Sequence, residues 1–255
     1  MTSSPSRSFE RIADSYDETR GGEERGRRFA RELAELLDPP GPVLELGVGT
    51  GVVALGLQGL GFRMLGMDLS LAMLERARQR IGPRVAAGDL RRLPIATGAV
   101  TQALCVWVLH VVGDVPAALA EIARILRPGG RFLVVPGVAG DPDDEVNRLI
   151  WGMHRKLDPG GARRDDPERL EELAPAAGLR FAGAVAWLPF DYEERPAETL
   201  RKLESRSFSS LWDATDEEWR TIVLPVIEAI RAMPDLERPI PRRSTDRVVL
   251  LVKEG

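Results

Sequence analysis

The chain has 255 residues, 44% of them hydrophobic and 29% charged, which suits one large globular domain or a domain with a cap and excludes a peptide or a disordered tail. Thirty-five Lys and Arg against 39 Asp and Glu give a net charge of -4, so no chain-wide attraction to nucleic acid or an acidic bilayer is expected. A single cysteine, Cys105, and two histidines, His110 and His154, exclude an intramolecular disulfide, a zinc ribbon and an iron–sulfur site; no metal is expected, and the compartment reads as reducing cytoplasm. Before Phe9 there is no apolar stretch, and no run nears the roughly 18 apolar residues a bilayer span needs, so neither export nor membrane insertion is expected.

From about Ser8 to Asp38, Phe29, Leu33, Leu36 and Leu37 recur at helical spacing among charged residues, until Asp38-Pro39-Pro40-Gly41-Pro42 stops the run. Helical residues 8–38 thus lead into a first strand, Val43 to Leu46, broken only by Glu45 and followed by Gly47-Val48-Gly49-Thr50-Gly51 and a helical run. Met64 to Met67 reads as a second strand ending at Asp68, after which Ser70 caps a helix with Leu71, Leu74 and Ala77 on one face. A third strand, Val85 to Ala87, ends at Gly88-Asp89. The fourth, Ala103 to Val108, is apolar throughout, as burial on both faces of a parallel sheet demands. Pro116 to Leu126 is a helix stopped by Arg127-Pro128-Gly129-Gly130, and Arg131 to Val135 makes a fifth strand. Strands alternating with helices argue for an α/β doubly wound sheet.

After Pro136 the rhythm changes. Asp141 to Leu157 reads as a helix with Val146, Leu149, Ile150 and Met153 on one side, followed by a loop rich in glycine and charge to Asp166. A helix from Pro167 to Ala177 ends at Gly178, and a strand lies within Leu179 to Tyr192. A second excursion carries Thr215-Asp216-Glu217-Glu218 in capping-box form, then Trp219, Val223, Val226 and Ile230, with a kink expected at Pro225. Arg247 to Val252 closes the chain as a strand. The organisation expected is one domain, with helices at 8–38, a core at 43–138, cap insertions at 141–165 and 193–245, and sheet completion at 167–192 and 247–253.

A glycine turn between a first strand and a helix lets backbone N–H groups approach a ligand closely. A dinucleotide fingerprint needs G-x-G-x-x-G, whereas here the glycines are Gly47, Gly49 and Gly51, with Val52 next. Glu45-Leu46-Gly47-Val48-Gly49-Thr50-Gly51 instead resembles the first motif of the class I S-adenosylmethionine-dependent methyltransferases. That resemblance implies a Rossmann-like, seven-stranded, mostly parallel sheet with helical cap insertions, and S-adenosylmethionine as cofactor. It places Glu45, Gly47, Gly49 and Gly51 at the cofactor, Asp68 and Leu69 at its ribose, Asp89 and Leu90 at its adenine, and Val106 beside its methionine end. Tyr16-Asp17 and Arg20 are similar to a lid in which the tyrosine and arginine close over the cofactor. Arg127-Pro128-Gly129-Gly130 matches the turn before the family's fifth strand. The likeness is good from about Phe9 to Val138 and loose beyond.

The activity implied is methyl transfer to a small-molecule acceptor at N, O, S or C, of the ubiquinone/menaquinone-biosynthesis type. No N-P-P-Y or D-P-P-Y follows the fourth strand, Cys105 has no preceding proline, and one cysteine excludes C-x-x-x-C-x-x-C; adenine-amino, cytosine-C5 and radical chemistry are therefore not expected. His110, after the fourth strand, is the candidate catalytic residue, as a general base lining the acceptor pocket. Trp151, Met153, His154, Phe208, Trp212 and Trp219, with Trp187 and Phe190, supply aromatic and soft material for a cap, and Ser207 to Trp212 is the expected cap-to-pocket segment. Three readings stay open at this point: a cofactor-binding regulatory protein without catalysis, a nicotinamide-dependent dehydrogenase, and RNA or protein as acceptor. Oligomeric state has no sequence signal.

Overall fold

The computed structural model describes residues 9–10, 12–14, 16–19, 21–38, 41–137, 144–159 and 164–255. The N-terminal segment is not one helix. α1 (Tyr16–Thr19) and α2 (Gly22–Ala34) are separated by Gly21, whose φ of 77° is left-handed and breaks the helical path. There follow β1 (Pro42–Leu46), α3 (Val52–Gly59), β2 (Arg63–Asp68), α4 (Leu71–Ile81), β3 (Val85–Ala87), β4 (Val100–Val106), α5 (Val115–Ile125) and β5 (Leu126–Val135). The second half holds α6 (Glu145–Leu157), α7 (Pro167–Leu173), β6 (Leu179–Glu194), α8 (Pro196–Glu204), α9 (Asp216–Glu218), α10 (Leu224–Arg231) and β7 (Ile240–Lys253).

Seven strands form one sheet in the order β3-β2-β1-β4-β5-β7-β6. The first five pair in parallel, while β7 runs antiparallel to both β5 and β6. One face is covered by α5 and α7, whose Leu119, Ile122 and Leu170 pack on Phe132 and Val249. On the other, α2, α3 and α4 bring Phe29, Leu57 and Ala77 against Met64 and Leu133. A third core lies off the sheet, where Ile150, Met153, Leu203, Leu211, Val223 and Ile227 pack together. The doubly wound expectation is therefore met in the sheet, and the surplus chain builds a separate apolar centre.

Several boundaries differ from the sequence reading for identifiable reasons. β4 stops at Val106 because Trp107 adopts φ 57°, a left-handed conformation rare for a bulky residue. Arg127-Pro128-Gly129-Gly130 lies inside β5 as an irregularity, where the register jumps from Val100–Leu126 to Gln102–Arg131. β7 starts at Ile240, seven residues before Arg247, because it pairs with β6 as far as Glu194–Ile240. Its period of two was hidden because the inward residues there are Arg242, Ser244 and Asp246, all buried and all polar. Where the sequence predicts a kink at Pro225, a π-turn over Trp219–Val223 precedes the proline and a new helix starts at Leu224. Ser70 and Thr215 do cap their helices, accepting from the N–H of Met73 and Glu218 respectively. Among the described residues, no helix is long and apolar enough to cross a membrane.

Candidate active site

The three glycines after β1 all have positive φ, at 70°, 54° and 82°, yet for different reasons. A Cβ on Gly47 would lie 2.4 Å from Cγ2 of Val108, and one on Gly51 would lie 3.0 Å from Cα of Ala77. One on Gly49 would meet nothing within 4 Å, so Gly49 alone faces open space. Its N–H donates to Oδ2 of Asp68 at 2.8 Å, and the Ser70 N–H donates to Oδ1 at 2.9 Å. Asp68 thus holds the glycine turn and the start of α4 together, while each carboxylate oxygen keeps a further lone pair for an incoming hydroxyl. Burial pushes the Asp68 carboxyl above its ordinary range, and the N–H groups of Ser70, Gly49 and Leu69 oppose that. Leu69, 43% exposed, stands beside it as an apolar surface. An open cradle beside a carboxylate with free acceptor capacity fits the vicinal diol of an adenosine.

Glu45 is buried beneath the turn, and burial pushes its carboxyl up to about 8; the Ala54 N–H opposes the shift and the nearby Asp68 adds to it. Its Oε2 makes no hydrogen bond among the described residues. Asp89 sits in the turn after β3, where the Arg91 guanidinium grips both carboxylate oxygens, at 2.6 Å in the shorter contact, and holds its carboxyl low. Leu90, beside it, is 6% exposed and its side chain packs in the core. Val106, at the end of β4, is partly buried against the α2–α4 side of the sheet.

The N-terminal segment straps this turn. Asp17 accepts from Thr50 Oγ1 at 2.6 Å and pairs with Arg80 Nη2 at 2.6 Å, while Arg80 Nη1 donates to the Thr50 carbonyl at 2.8 Å. Glu10 accepts from Ser70 Oγ at 3.0 Å and the Leu71 N–H at 2.7 Å, and Asp14 pairs with Arg76. Sequence reasoning gave the lid role to Tyr16 and Arg20; the ties observed run through Glu10, Asp14 and Asp17, whose partners lie far off in the chain and leave no local signal. Arg20 lies outside the described residues. Tyr16 lines a cavity and stands edge-on to Phe9 at 6.3 Å, and Phe9 in turn meets Trp212 at 4.7 Å.

That cavity, of about 1590 Å³, lies between α2, the segment after β4, the outer ends of β6 and β7, and the off-sheet helices. Trp107 lines it, and the next residue, Val108, stands against Gly47 of the glycine turn. Arg25 lies over the Trp107 ring at 4.3 Å and Arg28 over Phe190 at 3.7 Å; burial lowers the Arg28 guanidinium and lifts the Asp246 carboxyl to about 6, with Arg28 and Arg25 opposing the latter. Ser207, Phe208, Ser209, Ser210 and Trp212 line the cavity. His154, stacked edge-on with Trp151 and Phe208, brings Nδ1 within 2.5 Å of Ser210 Oγ. Trp219 and Met153 belong instead to the off-sheet core, and Trp187, 61% exposed, lies on the outer strand β6.

His110 also lines this cavity. The absence of a side chain at Gly137 makes room for its ring, since a Cβ there would lie 3.1 Å from His110 Nδ1. Asp165, 1% exposed, accepts the His110 N–H at 3.1 Å and the Gly137 N–H at 3.2 Å, and its Oδ2 lies 3.7 Å from His110 Nδ1. Asp165 was read only as part of a charged loop, because nothing local shows that the loop folds back under the post-β4 segment.

Residues 44–134 match the family described as "Methyltransferase domain". A demethylmenaquinone methyltransferase of Mycolicibacterium vanbaalenii is 38% identical over 130 residues, covering 49% of this chain and 57% of that protein. The chain thus spans little more than half the length of that curated relative. Among solved structures, the YcgJ protein of Bacillus subtilis superposes with a TM-score of 0.61 at 20% identity, covering 89% of this chain and 98% of that one. A Thermotoga maritima SAM-dependent methyltransferase gives 0.57 at 21% identity, covering 98% and 99%. Residues 44–134 thus match a methyltransferase domain, and the strand order and the glycine turn tied to Asp68 agree with that match.

Proposed function

We propose that the chain is an enzyme transferring the methyl group of S-adenosylmethionine to a small-molecule acceptor held in the cavity above the strand ends. Two observations carry the reading: a glycine turn tied to Asp68, and a large cavity walled by residues from outside the sheet. When bound, the cofactor supplies a methyl group already activated by its sulfonium. The chain's own tasks are then to position and to exclude water. Gly49 and Asp68 hold the adenosine, with Leu69 packing beside it; the N-terminal strap over Thr50 and α4 closes the cleft; Trp107 and Tyr16 wall the boundary with the acceptor. With its Nδ1 toward Asp165, His110 offers Nε2 to take a proton from an acceptor O–H or C–H. The segments around α6, α8 and residues 207–212 select the acceptor. The cytoplasm is the proposed compartment, and demethylmenaquinone, the acceptor named for the relatives, belongs in the first panel of acceptors.

Calorimetry with S-adenosylmethionine and S-adenosylhomocysteine tests the cofactor half; binding that Asp68→Ala abolishes is expected, and no binding by the intact protein overturns the reading. Turnover against the acceptor panel tests the transfer half: tight cofactor binding without methylated product from any member favours the regulatory alternative.

A further inference from the structure

At the end of the cavity formed by the off-sheet helices, polar atoms stand without partners. Asn147 on α6, Thr199 on α8 and Arg242 on β7 line the cavity and are 8%, 1% and 5% exposed. Asn147 Nδ2, Thr199 Oγ1 and Arg242 Nη2 make no hydrogen bond among the described residues. An ion-pair chain links the elements that carry them. Arg242 Nε donates to Asp144 Oδ2 at 2.5 Å, its Nη1 meets Glu194, and Glu194 accepts from Lys202 Nζ at 2.5 Å. Asp144 caps α6 and lies three residues, nearly one turn, before Asn147, and Lys202 lies the same interval after Thr199 on α8.

Interiors leave few buried polar groups unpaired, so three lining one cavity mark a place whose partner comes from outside the chain. All three atoms donate: an amide NH₂, a guanidinium N–H and a hydroxyl. Tyr192, paired opposite Arg242 across β6 and β7, lines the same cavity and carries a second hydroxyl. The charges close on themselves, with Arg242 and Lys202 against Asp144 and Glu194. A set of donors with no surplus positive charge suits a neutral oxygen, whereas a carboxylate or phosphate would meet Asp144 and Glu194. Phe208 and Trp151 line the same cavity and add aromatic surface to it.

We infer that Asn147, Thr199 and Arg242 anchor a non-reacting carbonyl oxygen of a ring-bearing acceptor. The inference rests on the reading of this cavity as the acceptor site. It is tested on the full chain loaded with S-adenosylhomocysteine, by ligand-observed NMR titration of three matched probes: 2-acetylnaphthalene, 2-ethylnaphthalene and 2-naphthoate. The ketone is expected to bind about three- to tenfold tighter than the hydrocarbon. Thr199→Val and Asn147→Leu should each remove most of that preference while leaving the affinity for 2-ethylnaphthalene and for S-adenosylhomocysteine unchanged. Equal binding of ketone and hydrocarbon, a preference that survives both substitutions, tightest binding by the carboxylate, or no probe binding at all each overturns the inference. If S-adenosylhomocysteine itself does not bind, the methyltransferase reading fails, and the ketone preference, measured on the unloaded protein, still decides the anchor.

Discussion

Replacing Gly49 by alanine separates the cost of a left-handed residue from the cost of filling the cofactor cleft. At φ 54° an alanine is strained by about 1–2 kcal/mol, but its Cβ meets nothing within 4 Å, so no clash adds to that figure. The variant is expected to stay folded, with a urea midpoint lowered by that stability loss divided by the denaturant slope. The open space that accepts the Cβ is the cradle itself, so the methyl group stands where a bound adenosine must approach. Overpacking of this kind costs about 1–3 kcal/mol, equivalent to roughly five- to a hundredfold in affinity. Gly47→Ala is the contrast: a Cβ 2.4 Å from Cγ2 of Val108 forces the turn or Val108 to move, and the loss should fall chiefly on folding. Urea denaturation and calorimetry with S-adenosylhomocysteine on both variants read the two costs separately. A folded Gly49→Ala protein that binds with wild-type affinity refutes the assignment of this turn as the cradle.

Two further expectations concern titratable groups. Glu45, with an ordinary value of 4.5 and a folded value of about 8, binds its proton more tightly in the native state, so its contribution to stability is present at low pH and lost as pH rises through that window. Glu45→Gln should therefore flatten the fall in urea midpoint between about pH 5 and pH 8.5, and parallel pH profiles for the variant and the wild type would count against a buried protonated Glu45. For the acceptor side, His110→Gln should lower kcat by about a hundredfold or more at unchanged affinity for S-adenosylhomocysteine. Asp165→Asn should lower kcat less and shift the ¹⁵N tautomer signals of His110 toward Nε2–H. With only two histidines in the chain, His154→Gln assigns those signals, and a tautomer ratio indifferent to Asp165→Asn removes its positioning role.

The first half of the sheet was legible because its order is written in local pattern. Short apolar strands, a glycine turn and capped helices recur at intervals that a single sequence displays, and Glu45, Gly47, Gly49, Gly51 and Asp68 sit at element boundaries where period and turn chemistry agree. The second half was less legible because its strands bury polar side chains. Arg242, Ser244 and Asp246 alternate inward along β7 and so look like a solvated excursion. Tyr16 and His110 could be named from their places before and after recognisable elements, but their partners could not.

By itself the sequence determined the α/β class, the parallel core and the glycine turn after the first strand, because those depend on residues close together in the chain. Only the tertiary structure decided that Asp17 reaches Thr50 and Arg80, that Asp165 comes under His110, and that Leu90 turns into the core. It also decided that Asn147, Thr199 and Arg242 line one cavity. Each of these depends on segments tens of residues apart meeting across the sheet ends. That meeting follows from how two helical faces and an off-sheet core close around one space, and no local period encodes it.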